Sequence, residues 1–114
     1  MKNEQAKVSR IGTELVNYFL FRRVTHLSLY LFLEETETII EIRGNIGERS
    51  VNLENIIEKL NAPRLIEYDD YYDELLGKDI ERALHLVGYL TDKAEVSIRN
   101  GQLIIKLWRH LLKK

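Results

Sequence analysis

The first part of the chain shows two hydrophobic periodicities in succession. From Leu27 to Leu33 every second residue is leucine, which is the period of a strand, and the polar stretch EETET separates this run from the apolar IIEIR. The segment before these strands, from Asn3 to Arg22, has apolar residues at the i, i+3, i+4, i+7 spacing of one helix face. These residues are Val8, Ile11, Leu15, Tyr18 or Phe19, and Phe21. The pattern predicts a helix over residues 3–22 and then an antiparallel β-hairpin.

Two further helical stripes follow in the middle of the chain. The segment VNLENIIEKLNAP has apolar residues at helical spacing, with Asn52 as its expected N-cap and Pro63 as its stop signal. The segment LLGKDIERALHLVGYLTDKA has the clearest stripe, and either Asp69 or Asp70 is its expected N-cap. The sequence therefore predicts a short helix and then a longer one.

A second hairpin completes the order of elements. In EVSIRNGQLIIKLW two apolar runs flank Asn100 and Gly101, a dipeptide that favours a type I′ turn because that turn needs positive φ at both positions. The resulting order is α-β-β-α-α-β-β. It predicts one α+β domain over residues 1–114, a two-layer sandwich in which helices cover one face of a mixed or antiparallel sheet.

Composition narrows the class of protein without identifying a chemistry. The chain has 114 residues, of which 45% are apolar and 31% charged, a balance typical of one globular domain. The longest apolar run, Leu29 to Leu33, is far shorter than the roughly 18 residues that span a bilayer. With no apolar leader in the first ten residues and no cysteine, we expect a cytoplasmic protein. The net charge of −1 gives no general attraction to nucleic acid or membrane, so we expect neither as a partner.

Two glycines follow the first hairpin, in the segment IEIRGNIGERS. One interpretation is a phosphate cradle, because a glycine-rich turn can direct backbone N–H groups at an anion. The other interpretation is a plain turn in which Gly44 and Gly47 supply positive φ. We favour the plain turn.

The order of elements resembles that of the histidine-kinase-like ATPase (GHKL) superfamily, which includes sensor-kinase ATPase domains and anti-sigma-factor kinases. The segment IERALHLVGYLTDKAEVSIRNGQLIIKLW is similar to the last helix and strands of that family, and IIEIRGNIGE stands where the family has its adenine-binding strand and glycine box. The resemblance covers nearly the whole chain. It implies an ATP site in which Asn17 binds the magnesium ion and Gly44, Asn45 and Gly47 contact the nucleotide.

The same positions depart from what the family's chemistry requires. The magnesium-binding Asn of the family stands in an ExxxN setting, whereas Glu14 and Asn17 are one residue closer. The window RGNIG lacks the carboxylate that accepts the adenine amino group, and only Gly77 represents the phosphate-binding lid. These departures predict a degenerate nucleotide site and no cofactor. The alternative is a divergent anti-sigma-type serine kinase that binds Mg-ATP.

The most biased stretch is EYDDYYDE, residues 67–74. One interpretation is a solvated helix cap, in which each carboxylate offsets the helix macrodipole by about 0.3–1 kcal/mol. The other is an acidic and aromatic docking surface for a basic protein partner, because tyrosine is enriched at interface hot spots. The residues of this candidate surface are Tyr68, Asp69, Asp70, Tyr71 and Tyr72.

The first strand is apolar on both faces. Tyr30 and Phe32 lie opposite the leucines, and one layer of helices can cover only one face of the sheet. Either the tail from Trp108 to Leu112 folds over the second face, or a second copy of the chain covers it. We expect a two-fold homodimer through Tyr30 and Phe32.

Other chemistry has little support in the sequence. His26, His85 and His110 fall on three different elements, whereas a metal site needs convergent ligands, so we expect neither a metal site nor catalytic residues. The ending KLWRHLLKK predicts a strand that runs into a short amphipathic turn. The function that we expect is a non-enzymatic binding or regulatory domain that acts through protein–protein contacts. A further alternative is an interaction domain of α+β class unrelated to the ATPase superfamily.

Overall fold

The structure, a computed structural model, describes residues 4–46, 52–70 and 83–111. The helices and strands within these ranges follow the predicted α-β-β-α-α-β-β order, so the predicted class and order are confirmed. None of the described helices combines the length and the hydropathy that a membrane-crossing segment needs. The elements are α1 Glu4–Phe21, β1 Leu27–Leu33, β2 Glu37–Asn45, α2 Leu53–Leu60, a 3-10 helix Ile66–Asp70, α3 Ala83–Gly88, β3 Lys93–Arg99 and β4 Gln102–His110.

The four strands form one sheet in the order β1-β2-β4-β3, and all three pairings are antiparallel. The sequence left open whether the sheet was mixed or antiparallel. Pairing of β2 with β4 joins the two hairpins at the centre of the sheet. As a result β1 and β3 are the edge strands.

The helices pack on one face of the sheet, and the core lies between the two layers, as the two-layer prediction required. Inward-facing residues alternate along the two central strands, as a period of two demands. The buried side chains of this core include Ile40 and Ile42 from β2, Leu103, Ile105 and Leu107 from β4, and Val8, Ile11, Leu15 and Phe19 from α1.

Two local predictions of turns and caps are confirmed. Asn52 caps α2, because its Oδ1 accepts a hydrogen bond from Asn55 N at 3.0 Å, and the helix ends before Pro63. Asn100 and Gly101 have φ values of 51° and 77°, the positive values that a type I′ turn requires.

The first helix ends one residue before its predicted limit, and without a glycine. Val24 N donates to Phe19 O at 3.2 Å and Arg23 N donates to Leu20 O at 2.9 Å, which is the pair of bonds in a Schellman motif. Arg23 accordingly has a positive φ of 63°, a conformation that glycine adopts more readily. The motif turns the chain from α1 toward β1.

The longer helix predicted after the acidic stretch lies only partly within the described residues. Its described part is α3, and residues 71–82 lie outside the description. Asp69 belongs to the 3-10 helix Ile66–Asp70, and its buried carboxylate pairs with Arg64 and Arg109. The start of the predicted helix lies outside the described residues, so its capping by Asp69 or Asp70 stays a prediction. The side chain of Asp70 is outside the description.

Candidate functional site

Strand β1 exposes large apolar side chains on both of its faces. Its seven residues, LSLYLFL, include no charged residue and no proline. The expectation that helices would cover the leucine face is wrong for most of the strand, and only Leu27 packs against the core. The exposed fractions are 39% for Leu29, 44% for Tyr30, 42% for Leu31, 46% for Phe32 and 48% for Leu33.

An apolar groove lies between α1 and the leucine face of β1. The buried stripe of α1 packs into the same core as β2 and β4, so α1 covers β1 incompletely. The groove has a volume of about 360 Å³. At its floor, a Cβ added to Gly12 would make an ordinary contact of 3.5 Å with Leu29. The apolar lining consists of Val8, Gly12 and Val16 from α1 and Leu29, Leu31 and Leu33 from β1.

The backbone pairing shows which groups of β1 face its open edge. Asn45 N donates to His26 O at one end of the hairpin, and Glu34 N donates to Glu37 O at the other. Hydrogen-bonded pairs alternate with non-hydrogen-bonded pairs in an antiparallel ladder, so the even-numbered residues of β1 direct their N–H and C=O groups at β2. The odd-numbered residues, which are the four leucines, direct theirs outward. In the part of the chain that the structure describes, no strand lies on that side.

Tyr30 and Phe32 lie together on the face of the sheet opposite the described helices, as predicted. Their cross-strand neighbours on β2 are Glu41 and Ile39. Arg43 pairs with Glu41 at 2.6 Å, and its guanidinium carbon lies 5.7 Å from the centre of the Tyr30 ring. This face of β1 therefore has two half-exposed aromatic rings next to the ion pair of Arg43 and Glu41.

As far as residue 111, the C-terminal segment does not fold over this face. β4 continues to His110, and Leu111 N donates to Thr36 O at 3.0 Å, so the amphipathic turn predicted after the strand is wrong as far as residue 111. Trp108 lies on the face of Tyr30 as part of β4, with the Nζ of Lys93 4.7 Å from its ring centre. Residues 112–114 lie outside the description.

Gly44, the first candidate nucleotide residue, is buried in β2 opposite Leu27. A Cβ at this position would collide with the Phe19 ring and lie 2.8 Å from Val24 Cγ1. Its φ is not positive, since Gly101 is the only glycine with positive φ among the described residues. The prediction that Gly44 supplies a positive φ is therefore wrong, and the glycine instead makes room for Phe19.

Within the described ranges, the other candidate nucleotide residues do not line a common cleft. Asn45 Oδ1 accepts hydrogen bonds from Thr25 N at 3.1 Å and from His26 N at 2.7 Å, so it shapes the entry to β1. Asn17 is exposed on α1, while Glu14 of the same motif is buried. Gly47 lies outside the described residues.

The acidic and aromatic stretch is only partly a surface. Asp69 is 3% exposed and cannot contribute to an exposed docking patch, which corrects that prediction for this residue. Tyr68 is half-buried, packs against the core and makes an edge-to-face contact with Tyr89 at a centroid distance of 5.3 Å. Asp70 ends the 3-10 helix, and Tyr71 and Tyr72 lie outside the described residues.

A buried group of charges joins the ends of several elements, and we call it the Arg109 cluster. Arg109, only 1% exposed, donates through Nε and Nη2 to the two oxygens of Glu4 at 3.0 and 2.7 Å. It also donates to Asp69 at 3.2 Å and to the backbone oxygen of Leu90 at 2.6 Å. The cluster consists of Arg109, Glu4, Asp69, Arg64 and Lys7, the last two pairing with Asp69 at 3.1 and 3.3 Å.

The cluster shifts the pKa values of its carboxyl groups. Burial alone would raise the pKa of Glu4, but the hydrogen bonds and positive charge of Arg109 outweigh it and hold that pKa below its ordinary value. Burial would likewise raise the pKa of Asp69, yet the charges of Arg109 and Arg64 keep it low. Both carboxyl groups are therefore ionised in the folded protein at neutral pH, and the cluster ties α1 to β4 and to the 3-10 helix.

The sequence contains one signal of this cluster, which is the position of Arg109 on β4. Ile105 and Leu107 occupy inward positions of β4, so Arg109, two residues after Leu107 on the same strand, must also point inward. A charge at an inward position requires a buried partner. Glu4 and Asp69 lie too far away in sequence to be identified as those partners without the fold.

Comparison with known proteins assigns no family. The sequence matches no protein-family model, and no curated protein matches it either. Within the described residues, no three histidine, aspartate or glutamate side chains converge as metal ligands would. The candidate site is therefore defined by the geometry of β1 alone.

Proposed function

We propose that this chain is a small cytosolic, non-enzymatic binding module that recognises a protein strand at the open edge of β1. One observation carries the proposal: β1 combines outward-directed backbone groups with exposed apolar side chains on both faces. An edge strand of this kind is a template for strand addition. In addition, β1 lacks the charges and prolines that commonly block such pairing.

The groove beside α1 supports the same proposal. An added strand would extend the sheet by one position, and its inward side chains would lie next to Leu29, Leu31 and Leu33 over the groove. Its opposite side chains would lie beside Tyr30 and Phe32. Backbone hydrogen bonds would then provide affinity, and the two apolar faces would select the side chains of the partner.

We further propose that any relation to the histidine-kinase-like ATPases is one of topology, with a degenerate nucleotide site. Two of the four residues at the expected positions have structural roles that compete with ligand binding. Gly44 accommodates the Phe19 ring, and the Asn45 side chain holds the backbone of Thr25 and His26.

Thermal unfolding with Mg-ATP and Mg-ADP tests the non-enzymatic part of the proposal. We expect no shift of Tm, whereas a ligand at 100 times its Kd would stabilise the fold by about 2.7 kcal/mol. A stabilisation by Mg-ATP that Asn17→Ala removes would favour the divergent kinase instead.

A display library of extended peptides tests the binding part. We expect selected peptides to have alternating apolar residues and to bind the wild-type chain but not Leu31→Lys, which places a charge in the groove. The matched control is Ile98→Lys, because Ile98 faces the helix side of the other edge strand and is 40% exposed, close to the value for Leu31. Equal binding by both variants would contradict a site at β1.

A further inference from the structure

The sequence of β1 is nearly symmetric about its central residue, Tyr30. An antiparallel second copy of the strand, related by a two-fold axis at Tyr30, would therefore place leucine opposite leucine at every odd position. The axis would also place the small Ser28 opposite the large Phe32. The pairs created by the axis are Leu27 with Leu33, Leu29 with Leu31, Ser28 with Phe32, and Tyr30 with itself.

The backbone groups of β1 suit this same axis. The four leucines direct their N–H and C=O groups at the open edge, so both members of each leucine pair would be hydrogen-bonding residues. Tyr30 directs its backbone groups at β2, so the Tyr30 pair on the axis would be a non-hydrogen-bonded pair. All four outward-facing leucines have a partner leucine only when the axis passes through Tyr30, because any other centre leaves a leucine at one end without one.

The charges that flank β1 are complementary under the same symmetry. Glu34 and Glu35 are exposed after the strand, whereas His26 and Arg23 are exposed before it. An antiparallel copy centred on Tyr30 brings Glu34 opposite the partner's His26, at the end of the strand that Arg23 precedes in sequence. The acidic end of one strand thus lies next to the polar His26 and the end of the other strand that follows Arg23, twice in each dimer.

From these three observations, and resting on the proposed function of the β1 edge, we propose that the strand that pairs with β1 is the β1 of a second copy of this chain. The two sheets then form one eight-stranded antiparallel sheet with Tyr30 at its centre. The two grooves lie side by side on the helix face and form one apolar layer between the two copies of α1. The contact is closed and two-fold, and it gives the exposed apolar side chains on both faces of β1 apolar neighbours from the partner strand.

Sedimentation equilibrium tests the dimer. The wild-type chain should be dimeric at micromolar concentration, and Leu31→Lys should weaken the dimer at least about 100-fold, because each dimer would bury two unpaired charges. Ile98→Lys, with the same change on the other edge strand, should leave the dimer intact. Circular dichroism checks that both variants fold.

Cysteine cross-linking tests the register, since the chain has no cysteine of its own. Tyr30→Cys should form an intermolecular disulfide, because Cα atoms in a non-hydrogen-bonded pair lie about 4.5 Å apart, within the range that a disulfide spans. Ser28→Cys should not cross-link to itself, because its copies would be separated by about four residues, or roughly 14 Å. A mixture of Ser28→Cys and Phe32→Cys chains should cross-link to each other.

Several outcomes would overturn the inference. They are a monomeric wild-type chain at tens of micromolar, a dimer that persists in Leu31→Lys, and self-cross-linking of Ser28→Cys in preference to Tyr30→Cys. A monomer that still binds extended peptides at β1 would overturn the self-pairing and retain the binding module. A monomer that binds no such peptide would remove both proposals.

Discussion

Strand β1 and the Arg109 cluster each depart from the usual arrangement, in which apolar side chains are buried and charged side chains are exposed. β1 has leucine, tyrosine and phenylalanine side chains in contact with solvent, whereas the Arg109 cluster has charged side chains in the interior. The charges of the cluster are paired with one another, and Arg109 donates to two carboxylates and a backbone oxygen, although Asp69 Oδ1 and Arg64 Nε are buried without a hydrogen-bond partner. The backbone edge and side chains of β1 have no such complement among the described residues.

The difference separates a structural feature from a binding feature. Buried charges are costly to leave unpaired, so a cluster in which charges are paired within the chain indicates a role in holding elements together. Water can hydrogen-bond to the backbone groups of an open edge, but exposed apolar side chains beside those groups make the edge a template for an added strand. On this argument we assign the cluster to the fold and propose β1 as the binding surface.

The largest effect that we expect is from Arg109→Met. The change leaves Glu4 buried without its bidentate partner and should lower the free energy of unfolding by about 3–5 kcal/mol. Urea denaturation measures it. The control is Arg99→Met on the exposed edge strand β3, which should change stability by no more than about 0.5 kcal/mol. A similar small loss in both variants would contradict a structural role for the cluster.

The next effect concerns how tightly α1 packs against β2 and against β1. Gly44→Ala should cost about 1–3 kcal/mol, because the new Cβ collides with the Phe19 ring beneath the last turns of α1. Gly12→Ala adds the same methyl group beside the groove and should be neutral or stabilising, since a helical glycine is about 0.5–1 kcal/mol less favourable than alanine. Thermal unfolding of both variants compares them, and an equal cost would show that the groove is as tightly packed as the core.

The pH dependence of stability should report on the cluster. Because Glu4 and Asp69 have folded pKa values below their unfolded values, which are about 4.3 and 3.9, their stabilisation is fully present above those values. It is lost as the pH falls through the lower folded pKa values. The urea concentration at the midpoint of unfolding should therefore decrease as the pH is lowered from 6 to 2. The decrease should be smaller in Arg109→Met, and an unchanged slope in that variant would argue against the assignment.

A small effect on the fold itself is expected from Leu31→Ala. Leu31 is partly exposed, so we expect a loss below about 1 kcal/mol when the chain is dilute enough to be monomeric. The buried Leu107, changed to alanine in the same way, should cost about 2–5 kcal/mol. At high protein concentration the Leu31→Ala loss should grow, because dimerisation adds to apparent stability. If the loss of unfolding free energy in Leu31→Ala does not depend on protein concentration, Leu31 contributes to stability only within the monomer.

Local patterns determined most of the architecture. Alternation along β2 and β4, the helical stripe of α1, the Asn52 cap and the Asn100-Gly101 turn each depend on residues close in sequence, and each was predicted. The near symmetry of LSLYLFL is also a property of the sequence alone. What the sequence could not determine was that β1 is an edge strand, because strand order depends on which hairpin strands meet at the centre of the sheet.

Only the tertiary structure decided the roles of single residues that depend on distant partners. Gly44 is a glycine because Phe19 lies over it, although the sequence suggested a turn. Asp69 is buried because Arg109, forty residues away, reaches it from the end of β4, although its neighbours suggested an exposed acidic surface. The physical reason is the same in both cases: sequence periodicity fixes which way a side chain points, and the fold alone fixes what it meets there.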